Sequence, residues 1–228
     1  MERQFGKFLF IAVTFAASVL VGCGGNSDVL IEDDFSDPAS GWSTDNDEGV
    51  SLEYTEGGYR ILVKQPGPQD SRLHFGSPGE PLAVEAVSVE ADATQRAGPR
   101  TTAVIEEFEL HGVACWGAEA QADRLGAGYK FVISPVGHYG ILKDLETLVE
   151  GEGDFGGFGA TNRIRGECVA GGDRPTSLVL YVDGMKVAEA TDPDGPASFP
   201  AVGLTVVTSE GGTDVFFDNV SVRRSEAP

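Results

Sequence analysis

The feature that most constrains this chain is a rhythm of short β-branched and aromatic runs, each closed off by glycine or proline. Tyr59 to Lys64, Val84 to Ala91, Tyr129 to Ser134, Ser177 to Asp183 and Val202 to Thr208 are such runs. Between them stand Gly57-Gly58, Pro66-Gly67-Pro68, Ser77-Pro78-Gly79, Asp183-Gly184 and Pro193-Asp194-Gly195-Pro196. Branching at Cβ suits the pleated strand, and glycine and proline supply the dihedrals of tight turns. Val179 to Val187 is the clearest hairpin, with Asp183-Gly184 as its two-residue turn. Helical periodicity is weak throughout beyond the N-terminal segment. Thirty-one glycines and twelve prolines spread over many short strands predict an all-β fold, an antiparallel two-sheet sandwich. No repeat or linker divides the chain, so residues 29–224 read as one domain with 225–228 as a tail.

The first 22 residues follow a different logic. Arg3 and Lys7 precede an apolar stretch from Phe8 to Val21, which ends in Leu20-Val21-Gly22-Cys23 and the small run Gly24-Gly25-Asn26-Ser27-Asp28. A cationic start, a short apolar stretch and small residues at the cut describe an export signal. The stretch falls short of the about 20 apolar residues that span a bilayer. The Leu-Val-Gly-Cys ending resembles a bacterial lipobox. That resemblance implies cleavage before Cys23 and lipidation of its thiol and new amino terminus, with residues 23–28 as the lipidated cysteine and a short linker. An ordinary secretory signal cut nearby is the alternative. The expectation is an extracytoplasmic protein, lipid-anchored to a bacterial membrane.

Without residues 1–22 the chain loses Glu2, Arg3 and Lys7, and its net charge moves from −20 to −21. Such a surface repels nucleic acid and anionic headgroups, so no nucleic-acid partner is expected. With 41% apolar residues and dispersed charge, the chain reads as a packed globule rather than an acidic tail. Of three cysteines, Cys23 is claimed by the lipid. Cys115 and Cys168 remain, in a compartment where disulfides persist. A bridge between them, expected on adjacent strands, would be worth about 4 kcal/mol in the chain-entropy picture. Two unpaired buried thiols are the alternative. Zinc is disfavoured, because the cysteines are distant and the three histidines scattered.

An ordered set of segments carries a family resemblance. Asp33-Asp34-Phe35-Ser36-Asp37 with Gly41-Trp42 opens it, and Gly57-Gly58-Tyr59-Arg60-Ile61 follows. Gly112-Val113-Ala114-Cys115, Gly128-Tyr129-Lys130-Phe131 and His138 to Lys143 come next. Asn162 to Cys168, Leu180 to Gly184 and Val215 to Val220 complete it. In this order they resemble the concanavalin A-like, laminin-G-like jelly roll, in its 3-keto-disaccharide-hydrolase-type branch. The resemblance implies two curved antiparallel sheets, paired first and last strands, a core Trp42 and support for the Cys115–Cys168 bridge. It also implies a structural calcium ion, held by Asp218 with Asp34 nearby and by carbonyls of the Gly57-Gly58 turn. The alternative is that Asp218 and Asn219 only hydrogen-bond neighbouring backbone. Similar domains often carry arginine after the first cysteine; Trp116 stands there instead.

Several motifs lead nowhere chemically. Gly151-Glu152-Gly153-Asp154-Phe155-Gly156 matches a dinucleotide-binding pattern by letter. That pattern needs a strand-to-helix turn, and here more glycine and another strand follow. With Asp45 and Asp47 at EF-hand positions three and five, Gly49 comes one place late and Tyr54 stands at position twelve, where a bidentate carboxylate belongs. Glycoside hydrolysis needs two carboxyls about 5 Å or 6.5–9.5 Å apart. Glu90 with Asp92 and Glu107 with Glu109 are the nearest pairs, and neither completes a Glu-x-Asp-x-x-Glu strand. No Gly-x-Ser-x-Gly elbow or ordered Ser-His-Asp set exists. Trp116, Tyr139 and Tyr181 are the aromatic candidates for stacking on sugar, and strand alternation sends Trp116 to the sheet face opposite Cys115. The expectation is a non-catalytic binding domain, and the family resemblance implies carbohydrate or another cell-envelope polymer as its ligand. A glycoside hydrolase with an unrecognised carboxylate pair and a structural or adhesion lipoprotein that binds a protein stay open.

Overall fold

The computed structural model describes residues 28–65, 73–78, 81–82, 84–98, 109–117, 128–208 and 210–225. These form fifteen strands, numbered in chain order, and no helix. One sheet runs β13 (Met185–Asp192), β12 (Thr176–Val182), β11 (Thr161–Val169), β6 (Ala86–Ala97), β15 (Asp214–Arg224), β4 (Gly58–Val63), β3 (Val50–Thr55), β2 (Asp45–Asn46), with β1 (Val29–Asp33) also on β15. The other runs β10 (Glu146–Glu152), β9 (His138–Lys143), β8 (Tyr129–Ile133), β7 (Leu110–Trp116), β14 (Ala201–Val207), β5 (Leu73–Gly76). The pairings are antiparallel, and the two sheets make a jelly-roll sandwich. The five strand runs read from sequence correspond to β4, β6, β8, β12 and β14. Asp183 and Gly184 turn the β12–β13 hairpin with φ of 49° and 79°, the signature of a type I′ turn.

Period-two alternation fills the space between the sheets. Val87, Val89 and Ala91 of β6, Leu178 and Leu180 of β12, and Val215 and Phe217 of β15 face inward from the nine-stranded sheet. Val113 of β7, Phe131 of β8, Ile141 of β9 and Leu204 of β14 meet them. Phe131 is seated against Gly166, where a Cβ would lie 2.2 Å from its ring. Each fully buried side chain of this kind contributes about 1.5–3 kcal/mol. Trp42 is core: it packs edge-on to Phe35 at 5.2 Å, and its Nε1–H donates to Asp33 at 2.8 Å.

Cys115 and Cys168 are disulfide-bonded, but not on adjacent strands as the sequence reading expected. Cys115 lies on β7, whose neighbours are β8 and β14, and Cys168 lies on β11, whose neighbours are β6 and β12. Both occupy inward positions and are fully buried, so the bridge crosses the core and ties the two sheets together.

The last strand organises the nine-stranded sheet. β6 pairs with one side of β15 along most of its length. The other side is shared: β4 pairs with Asp214 to Phe217, and β1 pairs with Val220 to Arg223. The register shifts between Asp218 and Ser221, and Asn219 there takes a positive φ of 50°. Val220 and Val222 can therefore both continue the inward series that Val215 and Phe217 began.

Candidate ligand-binding surface

The outward face of the nine-stranded sheet carries a polar row across five strands. Tyr181 of β12 stands opposite Arg165 of β11, which stands opposite Glu90 of β6. Glu90 stands opposite Ser221 of β15, and Ser221 opposite Glu32 of β1. At the spacing of neighbouring strands the row is about 20 Å long. One register step away run Arg163, Asp92 and Asp218. Donors and acceptors interleave along the first row, while the second sets Arg163 beside two carboxylates; alternation puts these polar residues outside and their apolar neighbours within.

Arg163 is the hub. Its Nη1 donates to Asp92 Oδ1 at 3.1 Å and to the Asn219 carbonyl at 2.8 Å, and its Nη2 donates to Glu90 Oε2 at 3.2 Å. Asn219 Nδ2 donates to the other Asp92 oxygen at 2.8 Å. Burial disfavours the Arg163 charge, but the bonds to Glu90 and Asp92 outweigh it and hold its pKa above the ordinary arginine value. Farther along, the Arg165 guanidinium lies 3.8 Å over the Tyr181 ring, a cation–π contact, and also pairs with Glu167.

Where β1 meets the β15 irregularity, the face opens into a groove of about 810 Å³. The strand and turn from Glu32 through Asp33, Asp34 and Asp37 to Ser40 make one wall. Asn219, Ser221 and Arg223 of β15 and Arg163 of β11 make the other. Asp33, Asp34 and Asp37 accept backbone N–H bonds from Phe35, Ser36 and Ala39, which shape the turn. The bonds from Ser36 also hold the Asp34 carboxyl below its usual pKa.

The structure separates the three aromatic candidates. Trp116 alternates with Cys115 as expected and lies on the outward face of the six-stranded sheet, beside Ala114 and Ala201, but it is 6% exposed and part of that face's packing. Tyr139 points between the sheets, edge-on to Phe155 at 5.9 Å, with its ring over Gly151, where a Cβ would meet it. The glycines of the rejected dinucleotide pattern make room for these rings. Tyr181 belongs to the polar row. One continuous aromatic site from all three is therefore excluded, since sheet membership and alternation send them to three surfaces. Cys23 lies outside the described residues.

Asp34 and Asp218 do approach the same place, because β1 ends and β4 begins beside the β15 irregularity. Asp218 Oδ1 accepts the Asn219 N–H at 2.7 Å, the backbone role foreseen as the alternative. Among the described residues no three aspartate, glutamate, histidine or cysteine side chains cluster as a metal site. Beside Asp34 and Asp218, most of the six to eight ligands calcium takes would have to come from carbonyls and water.

Of the two carboxylate pairs, the structure describes one in full. Glu90 and Asp92 both lean on Arg163. Glu107 lies outside the described residues. Glu109 faces the interior, 4% exposed, and accepts from Gln95 and Thr213, and its burial raises its pKa. Sequence reasoning missed Arg163, Arg165 and Ser221 as site residues. The signal was present in Arg163-Ile164-Arg165-Gly166-Glu167, a charged outward series interrupted by inward apolar positions.

No family model matches the chain, and no curated protein matches it. Solved structures do. The carbohydrate binding module CBM66 from Bacillus subtilis aligns over 81% of this chain and 96% of its own, with TM-score 0.54 and 15% identity. A galectin-like protein of unknown function from Bacillus subtilis aligns over 87% and 97%, with TM-score 0.59 and 10% identity. The potassium-bound carbohydrate recognition domain of Emp46p aligns over 82% and 90%, with TM-score 0.56 and 11% identity. At such identities the likeness is one of fold, and the chain shares the jelly-roll sandwich of these structures.

Proposed function

We propose that this protein is a non-catalytic saccharide-binding domain, tethered outside the bacterial cytoplasm by lipid on Cys23, whose site is the polar row and groove of the nine-stranded sheet. The observation that carries the reading is the row itself: five strands present Tyr181, Arg165, Glu90, Ser221 and Glu32 in line. Alternating fixed donors and acceptors match sugar hydroxyls, each of which both donates and accepts. The length of the row suits an extended chain more than a single sugar. Two of the fold neighbours are named for carbohydrate binding or recognition, which supports the class of ligand by analogy of fold alone. Glu90 and Asp92 serve to hold an arginine, and this favours binding over hydrolysis.

The test pairs a glycan array with reducing-sugar release on the polysaccharides that score. Binding without release is expected, and Arg165→Ala with Tyr181→Ala should abolish it at unchanged melting temperature. Binding that survives both substitutions moves the site elsewhere, and released sugar makes the protein a hydrolase. Acyl labelling of wild type and its loss in Cys23→Ser test the tether.

A further inference from the structure

The charges around the groove go further than the ligand class, and this step rests on the saccharide-binding reading above. Arg163, the groove's half-buried cation, is balanced by two carboxylates, Glu90 and Asp92. Arg223, the other cation, is paired with Glu32 at 3.1 Å. Asp33, Asp34 and Asp37 have backbone and Trp42 N–H partners, and none has a cationic partner among the described residues. The groove therefore has no unbalanced positive charge to offer and several negative ones.

We propose that the groove selects neutral saccharides against uronates and other carboxylated sugars, with Arg163 as the residue that reads the ligand. Three acceptors fix the Arg163 fork, and a guanidinium has five N–H donors, so donors remain for adjacent ligand hydroxyls. A fork fixed in advance gives up little freedom on binding. Hydroxyls can also donate to the aspartates of the opposite wall. A sugar carboxylate has no proton to give them at neutral pH and brings like charge against like, which is a costly juxtaposition. The discrimination is electrostatic at an open groove, so salt weakens it.

The experiment uses the full chain in detergent and oligosaccharides of glucan, mannan and galactan, each beside its C6-oxidised uronate counterpart of equal length. Whichever neutral backbone binds should bind about tenfold or more tighter than its uronate at low salt. The gap should narrow in 0.5 M salt and in Asp34→Asn/Asp37→Asn, both exposed positions. Arg163→Lys keeps the charge but loses the fork, and it should weaken the neutral ligand about tenfold. Melting temperatures accompany each variant, and should Arg163→Lys not fold, the paired aspartate variant still decides. Uronates that bind as tightly as their neutral partners overturn the selectivity and leave the saccharide reading intact. A gap unmoved by salt and by both asparagines overturns the electrostatic cause. Wild type that binds neither kind overturns this inference and the proposed function together.

Discussion

His111 makes the stability of this sandwich depend on acidity in a way that can be calculated. The side chain sits on β7 two positions before Val113, opposite Ile133 and Val206, and faces the interior at 2% exposure. Its Nδ1 has no hydrogen-bond partner among the described residues, and burial pulls its pKa down from 6.5 to about 4. A folded pKa below the unfolded one means that the unfolded chain takes up the proton first. Stability is therefore lost as pH falls from about 6.5 towards 4. Between pH 7.5 and 4.5 the loss is about 2.5 kcal/mol, from 1.36 kcal/mol per pKa unit and the two titration curves. In a domain this size that is a fall of roughly 5–10 °C in melting temperature. Glu109, two residues earlier, acts in the opposite sense: its raised pKa stabilises at low pH and is lost as pH rises. The measurement is therefore a difference of differences, urea unfolding at pH 7.5 and 4.5 for wild type and for His111→Gln. The substitution shifts both values for wild type relative to variant, but only the pH-dependent part belongs to titration. Wild type should lose about 2.5 kcal/mol more than the variant over this interval. Equal losses in the two proteins refute the argument, as does an imidazole NMR titration with a midpoint near 6.5.

Two further outcomes are expected. Nonreducing peptide mapping should find Cys115 joined to Cys168, and reduction should cost about 2–5 kcal/mol; free thiols in protein from its native compartment would remove the cross-sheet tie. Millimolar calcium or chelator should leave the melting temperature unmoved, because Asp218 is engaged by Asn219; a shift present in wild type and lost in Asp218→Asn would instead establish an ion there.

The architecture was legible in the runs of β-branched residues because alternation and turn chemistry are local signals. Asp183-Gly184 needs only its own dihedrals, whereas the core place of Trp42 rested on the family resemblance, since Gly41, Ser43 and Thr44 beside it give no apolar signal. The cross-sheet position of the disulfide was not legible, since nothing near Cys115 or Cys168 says which strands face one another. The packing of Trp116 and Tyr139 was not legible for the same reason, whereas Tyr181 does lie in the outward polar row. Trp116 was correctly assigned to the face opposite Cys115, yet alternation cannot tell whether that face is covered. The polar row escaped because its members come from five strands spread between Glu32 and Ser221. Each looks like an ordinary surface charge until register brings them into line.

The shared side of β15 also bears on the order in which the molecule can be made. β1 leaves the ribosome well before its partner, with Glu32 and Arg223 separated by 191 positions. Until β15 arrives, the Val29–Asp33 strand lacks its hydrogen-bonded partner, and β4 and β6 lack the strand between them. Contacts that close so long a loop form late and slowly. A truncated or stalled chain that lacks β15 would hold two edges of the larger sheet open, a template for aggregation. The completed chain closes them with one strand, so the eleven residues of β15 join the two halves of the larger sheet.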